Sequence, residues 1–168
     1  MSGVDALHLL EVAVRPALRI LGEPYATTAA EQLVMSTGAV ESGFRYLRQH
    51  RGPALGLWQM EPATYRDLID RASNEMAQKL REMAVHHGVG EALPCTMCWN
   101  LRYGAAMCRI KYLDHHHPLP EPGDVQGFAI AWKAGYNSLL GAGTIEGFKR
   151  AWADLIAPRY SELWPHEH

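Results

Sequence analysis

The sequence predicts an all-α fold, and three observations carry that expectation. Apolar residues recur at helical spacing through nearly the whole chain, strand-like alternation never persists beyond a few residues, and capping and stop signals bracket the apolar stripes. Leu7, Leu10, Val14, Ala17, Leu18 and Leu21 form one stripe of a first helix that Pro16 should kink, because its ring removes a donor and crowds the preceding turn. Thr28-Ala-Ala-Glu31 has the form of a capping box and opens a second helix. Its apolar run Leu33, Val34, Met35, Ala39 and Val40 leads to Glu41, and Gly43 is placed to end it. A polar, glycine-bearing stretch from Arg45 to Met60 follows as the expected wall of a cleft, and Pro62 opens a helix through Ala72. Asn74 to His86 reads as a short amphipathic helix ended by Gly88 and Gly90, and Cys95 to His115 as one long helix. The run His115 to Gly123 is a loop, after which Asp124 caps a helix to about Tyr136. Thr144 caps a last helix that stops at Pro158 and leaves a tail carrying Trp164. This makes roughly seven helices in a single domain spanning residues 1–168.

Composition agrees with one domain and narrows the partners. A chain of 168 residues that is 48% hydrophobic buries roughly two thirds of its unfolded surface. Sixteen Lys and Arg against eighteen Asp and Glu leave a formal charge of -2, with no basic block of the kind that tracks phosphates, so nucleic acid is not an expected partner. The first apolar stretch has no basic region ahead of it and contains Glu11 and Arg15, so neither a signal peptide nor membrane insertion is expected. Cys95, Cys98 and Cys108 are an odd number and read as reduced thiols. Together with His115 they make a metal-like inventory. Cys98 and Cys108 on one helix are spaced too far apart for tetrahedral chelation, however, and no metal and no cofactor are expected.

The chemistry concentrates between Glu41 and Thr64. Glu41-Ser42-Gly43-Phe44 places an acid on the last turn of an apolar helix, and Gly56-Leu57-Trp58-Gln59-Met60-Glu61-Pro62-Ala63-Thr64 follows fifteen positions after Glu41. A glutamate delivers a proton near neutral pH only where an apolar setting raises its pKa, and Phe44, Leu57, Trp58 and Met60 are available to supply one. The competing reading is a solvated carboxylate that the helix dipole disfavours. Gln59 is either an amide that reads sugar N-acetyl and hydroxyl groups or a stabiliser of its own turn, and Trp58 either stacks on a pyranose face or packs in the core.

This stretch resembles the active-site signature of the soluble lytic transglycosylases and goose-type lysozymes, in which a Glu-Ser pair precedes a Gly-Leu-Met-Gln segment and a Pro-Ala-Thr helix start at the same spacing. The resemblance covers roughly residues 28–140 and is specific over 41–64. Tyr136-Asn137, within Trp132-Lys-Ala-Gly-Tyr-Asn-Ser138, is similar to the Tyr-Asn pair that faces the catalytic glutamate in that group. The resemblance implies a lysozyme-like domain of the small bacteriophage or prophage type, acting on the peptidoglycan glycan strand. Made in the host cytoplasm and associated with the virion, it would have other virion proteins as further partners. Glu41 is then the general acid and base. Ser42, His50, Trp58, Gln59, Met60, Tyr136 and Asn137 line the substrate, and Tyr136 either holds Glu41 by a hydrogen bond or ends its helix with the ring packed inward.

Two positions depart from the family pattern: Trp58 stands where a Met is usual, and His50 where a hydroxyl residue orients the N-acetyl group. Glycosidases that work with two carboxylates need a partner for the acid, and Glu61, expected to cap the helix at Pro62, is the candidate. Transglycosylases need only one glutamate, because an N-acetyl group and a hydroxyl of the substrate complete the displacement. Three functions therefore stand: a lytic transglycosylase, a hydrolytic lysozyme using Glu61 or Asp67 to position water, and a catalytically inactive virion structural or wall-binding protein of the same fold.

Overall fold

The computed structural model describes residues 3–85, 93–114, 118–137 and 142–166. Among them every element is helical, and pairing outside helices is limited to the isolated bridges Arg48 to Leu55 and Leu55 to Met60. None of these helices is long and apolar enough to cross a membrane.

Helix α1 (Ala6–Leu9) begins at Asp5, whose carboxylate accepts the His8 amide, and runs through a π-helical turn, Leu10–Val14, into α2 (Arg15–Leu21). The expected effect of Pro16 takes the form of that widened turn. Pro16 has no N–H for the Val12 carbonyl four residues back, and Arg102 Nε donates to that oxygen instead at 2.8 Å.

Helix α3 (Thr28–Ser42) is the centre of the molecule and packs against α2, α7, α8 and α9, whose ranges follow below. It is buried on nearly all sides, which explains why its sequence is apolar without a clear polar face. Its cap lies one residue before the expected one: Thr27 Oγ1 accepts the Ala30 amide. Glu31 is not part of a capping box, because its carboxylate is drawn inward by Arg15 Nε at 2.8 Å and Trp164 Nε1 at 3.0 Å. Gly43, at φ +59°, ends α3 in the left-handed conformation as its position implied.

Helices α4 (Pro62–Arg71) and α5 (Asn74–Ala84) follow, the second capped by Ser73. Helix α5 ends at Ala84, two residues before the expected His86, and the expected glycine stop lies outside the described residues. The stretch from Cys95 is not one helix. It divides into α6 (Thr96–Trp99) and α7 (Leu101–Lys111), because Asn100 leaves helical geometry and its Oδ1 caps the Tyr103 amide at 3.0 Å. Cys98 and Cys108 thus sit on different helices, which corrects the single shared helix from which chelation was argued against. Cys98 Sγ lies 3.1 Å from the Leu47 carbonyl, while Cys108 is fully buried and burial raises its thiol pKa; His115 is outside the described residues.

Asp124 Oδ1 caps α8 (Val125–Trp132) at the Gly127 amide, and a π-helical turn, Lys133–Asn137, extends it. Helix α9 (Ile145–Leu155) is capped by Thr144 and stops three residues short of Pro158, which lies instead within a 3₁₀ turn, Ala157–Arg159, leading to α10 (Tyr160–Leu163). Trp164 is a core residue rather than a free tail.

The centre of the core is Trp58, sandwiched between α3 and α7 where a side chain at either facing position would collide with it. A Cβ at Gly38 would lie 3.2 Å from Trp58 Nε1, and one at Gly104 3.0 Å from its ring. Trp58 Nε1 donates to the Val34 carbonyl at 2.8 Å, so the loop carrying it is anchored to the middle of α3.

Candidate active site

Glu41 stands on the last turn of α3, half-buried, on the wall shared by two cavities. One, of about 350 Å³, is lined with polar groups that include Glu61, Lys111 and Asn137. The other, of about 510 Å³, lies toward α9 and is bordered by Ser42, Arg45, Tyr46, Arg150 and Asp154. A carboxyl between two hollows is placed to act at the middle of an extended ligand.

The carboxylate of Glu41 accepts a hydrogen bond from Trp132 Nε1 at 2.9 Å. Burial raises its pKa, opposed by that bond and by the positive charge of Lys111. The orientation of Trp132 is set by packing, since its ring lies 5.5 Å from that of Phe148 on α9. Lys111 is itself half-buried at the end of α7, and burial lowers its pKa against the pull of the Glu41 and Glu61 charges. Its ammonium donates to the Tyr136 carbonyl at 2.6 Å and lies 3.9 Å from the centre of the Tyr136 ring.

The expected holder of Glu41 is therefore corrected. Tyr136 does line the smaller cavity, but its hydroxyl donates to the Trp58 carbonyl at 2.7 Å and its ring stacks on Tyr112 at 5.5 Å. The π turn carries Tyr136 past Glu41 onto the neighbouring loop, and Trp132, four residues earlier, takes the acid. Asn137 also reaches the cavity, with its Oδ1 bonded to Lys133 Nζ at 2.9 Å.

Gln59 lines the same cavity, and its amide hydrogens are spent on the Gly56 and Tyr46 carbonyls at 2.7 and 3.1 Å, the turn-stabilising alternative. That leaves its side-chain oxygen as the group for a ligand. Its backbone holds φ +46°, a strained value for a residue with a Cβ, which those two bonds help to maintain.

Trp58 and Met60 are each only 1% exposed and belong to the core, so the aromatic is not a stacking platform. Ser42 borders the larger cavity but is buried, and its hydroxyl donates back to the Gly38 carbonyl at 3.2 Å. His50 is exposed in the 45–60 loop and borders neither cavity; its neighbour Gln49 lines the smaller one instead. Glu61 occupies the N-cap position of α4 without a side-chain capping bond and is exposed beside the cavity.

Sequence reasoning missed Lys111 and the role of Trp132. The signal for Lys111 was a lysine continuing the buried stripe Gly104, Cys108, Lys111 at helical spacing. For Trp132 there was none beyond its sharing a face with Tyr136. No protein-family model, curated protein or solved structure matches the chain, and the geometry around Glu41 stands as the guide to its chemistry.

Proposed function

We propose that this protein cleaves the peptidoglycan glycan strand between N-acetylmuramic acid and N-acetylglucosamine. In this reading a lysozyme-like domain carries out a reaction of the lytic transglycosylase type. The observation that carries it is a single carboxyl with a burial-raised pKa, fixed by an indole N–H, on the wall common to two cavities. A long polymer laid across both cavities presents one internal bond to that acid.

Protonated Glu41 donates to the glycosidic oxygen, and the bond to the departing sugar breaks as the substrate's N-acetyl oxygen closes on the reacting carbon. The carboxylate so formed takes the proton of a hydroxyl on the same sugar, whose oxygen displaces the N-acetyl group and leaves an anhydro sugar. Lys111 stabilises the carboxylate between the two transfers, and Trp132 keeps it aimed. Gln59 and Asn137 supply polar contacts along the smaller cavity.

Replacing Glu41 with Gln keeps an acceptor for Trp132 and removes the proton. The variant should fold normally and clear purified sacculi about 10²–10⁴-fold more slowly. Clearing at the wild-type rate would remove Glu41 from the mechanism. Wild-type protein that binds sacculi yet releases no soluble muropeptide would identify a wall-binding or virion structural protein instead. One observation favours a second reading, hydrolysis: Glu61 lines the same cavity as Glu41 and is exposed, as a residue that positions water must be. Mass spectrometry of the digest separates the two, since hydrolysis adds a water that anhydro products lack.

A further inference from the structure

A second polar feature lies at the other end of α3, some 20 Å along the helix from Glu41 by the helical rise. There a cavity of about 620 Å³ is enclosed by the start of α3, by Arg109 and Tyr112 of the α7 end, and by the segment 118–122. We propose that this cavity binds a small oxyanion, a carboxylate or a phosphate, held by Arg109 and the first amides of α3. The proposal is independent of the chemistry assigned to Glu41.

Arg109 is the principal observation. It is only 5% exposed, it lines the cavity, and its guanidinium has no hydrogen bond and no ion pair among the described residues, with Nε buried and unpartnered. Its central carbon lies 5.9 Å from the centre of the Tyr25 ring, a contact that does not neutralise the charge. A buried cation is ordinarily paired, because leaving water is costly unless an opposite charge replaces it. Burial lowers its pKa, and among the described residues no carboxylate opposes that effect.

The second observation is the helix start. Of the first four amides of α3, those of Ala30 and Glu31 are taken by the Thr27 hydroxyl and carbonyl, whereas those of Thr28 and Ala29 have no acceptor among the described residues. Both residues line the cavity. Two free amides at the positive end of a fifteen-residue helix and a guanidinium lining the same cavity match the planar or tetrahedral oxygens of an oxyanion. Glu121, exposed, is the one acidic residue among the described residues that line the cavity and works against the anion.

Titration of the full-length protein with inorganic phosphate or with acetate, followed by amide NMR at constant ionic strength in chloride, tests the site. The amide resonances of Thr28 and Ala29 should shift and saturate with one or both anions, and which anion does so distinguishes a phosphate source from a carboxylate source. In Arg109→Met the shifts should require at least about ten times more anion, and the variant should melt no lower than wild type in chloride alone, because an unpaired buried charge has been removed. Glu121→Gln, an exposed change that leaves the core untouched, should tighten binding about two- to fivefold through the lost repulsion. It keeps the test open should Arg109→Met fail to fold. No saturable shift at Thr28 and Ala29 with either anion, an equal response from Arg109→Met, or an unchanged affinity in Glu121→Gln would overturn the proposal.

Discussion

Glu41 keeps its proton to higher pH than a free glutamate because burial penalises its charged form more than Trp132 and Lys111 favour it. The sequence placed this glutamate on the last turn of its helix, since its position before Gly43 is a local fact. It did not name the partner. The sequence favoured Tyr136, whereas the π turn after α8 and the packing against Phe148 give the place to Trp132, one helical turn earlier.

The raised pKa has a consequence for stability. Between the ordinary value of 4.5 and the raised folded value, the native state holds more protons than the unfolded state, so the contribution of Glu41 to stability falls as pH rises through that window. Glu41→Gln cannot ionise and escapes this loss. Its melting temperature relative to wild type should therefore rise as pH climbs from the ordinary value of 4.5 through the raised folded value, with the two proteins closest at the acidic end. Calorimetric melts across that range would check it, and a difference independent of pH would show that burial does not perturb the carboxyl.

At the scale of elements, the loop 45–60 owes its shape to anchors on three helices. Trp58 is bonded to α3 through its indole and to the turn after α8 through its backbone carbonyl, while the Gly38 and Gly104 positions leave room for its ring between α3 and α7. This loop carries Gln59, and the turn carries Asn137, so the Tyr136 hydroxyl ties together the two sides of the smaller cavity. Tyr136→Phe leaves the buried Trp58 carbonyl without its donor and should cost about 2 kcal/mol, lowering the melting temperature by roughly 4–8 °C. Clearing activity, measured well below the melting temperature, should fall with it. A variant that melts like wild type would mean that the loop holds its shape without this bond.

Element boundaries were legible where they depend on caps and stops, as at Gly43, Asp124 and Thr144. They were misread where a side chain found a distant partner: Glu31, drawn out of its box by Arg15, and Asn100, whose amide donates to the Met83 carbonyl while its oxygen caps Tyr103, dividing a continuous apolar stripe.

Over the whole molecule, the ends of the chain close on the central helix. Glu31 receives Arg15 from α2 and the Trp164 indole from the C-terminal segment, and Gln32 reaches both the Tyr160 hydroxyl and the Gly123 amide. Glu31→Gln strands the partly buried Arg15 charge and should cost about 2 kcal/mol. Adding Arg15→Met should recover most of that loss, because the stranded charge goes with it. Urea unfolding of the two single variants and the double variant would show the coupling, and strictly additive losses would mean that the pair is not an interacting unit.

By itself the sequence determined the all-helical class, the apolar course of α3 and the acid at its end, since periodicity, caps and spacing act over one or two helical turns. The tertiary structure alone decided that Trp58 is core rather than cleft, that Trp132 bonds Glu41, that Lys111 stands beside it, and that Arg109 lines a separate cavity. Each of these depends on which faces of separate helices meet. A side chain's burial and partners follow from that meeting, and residues far apart in the chain carry no local mark of it.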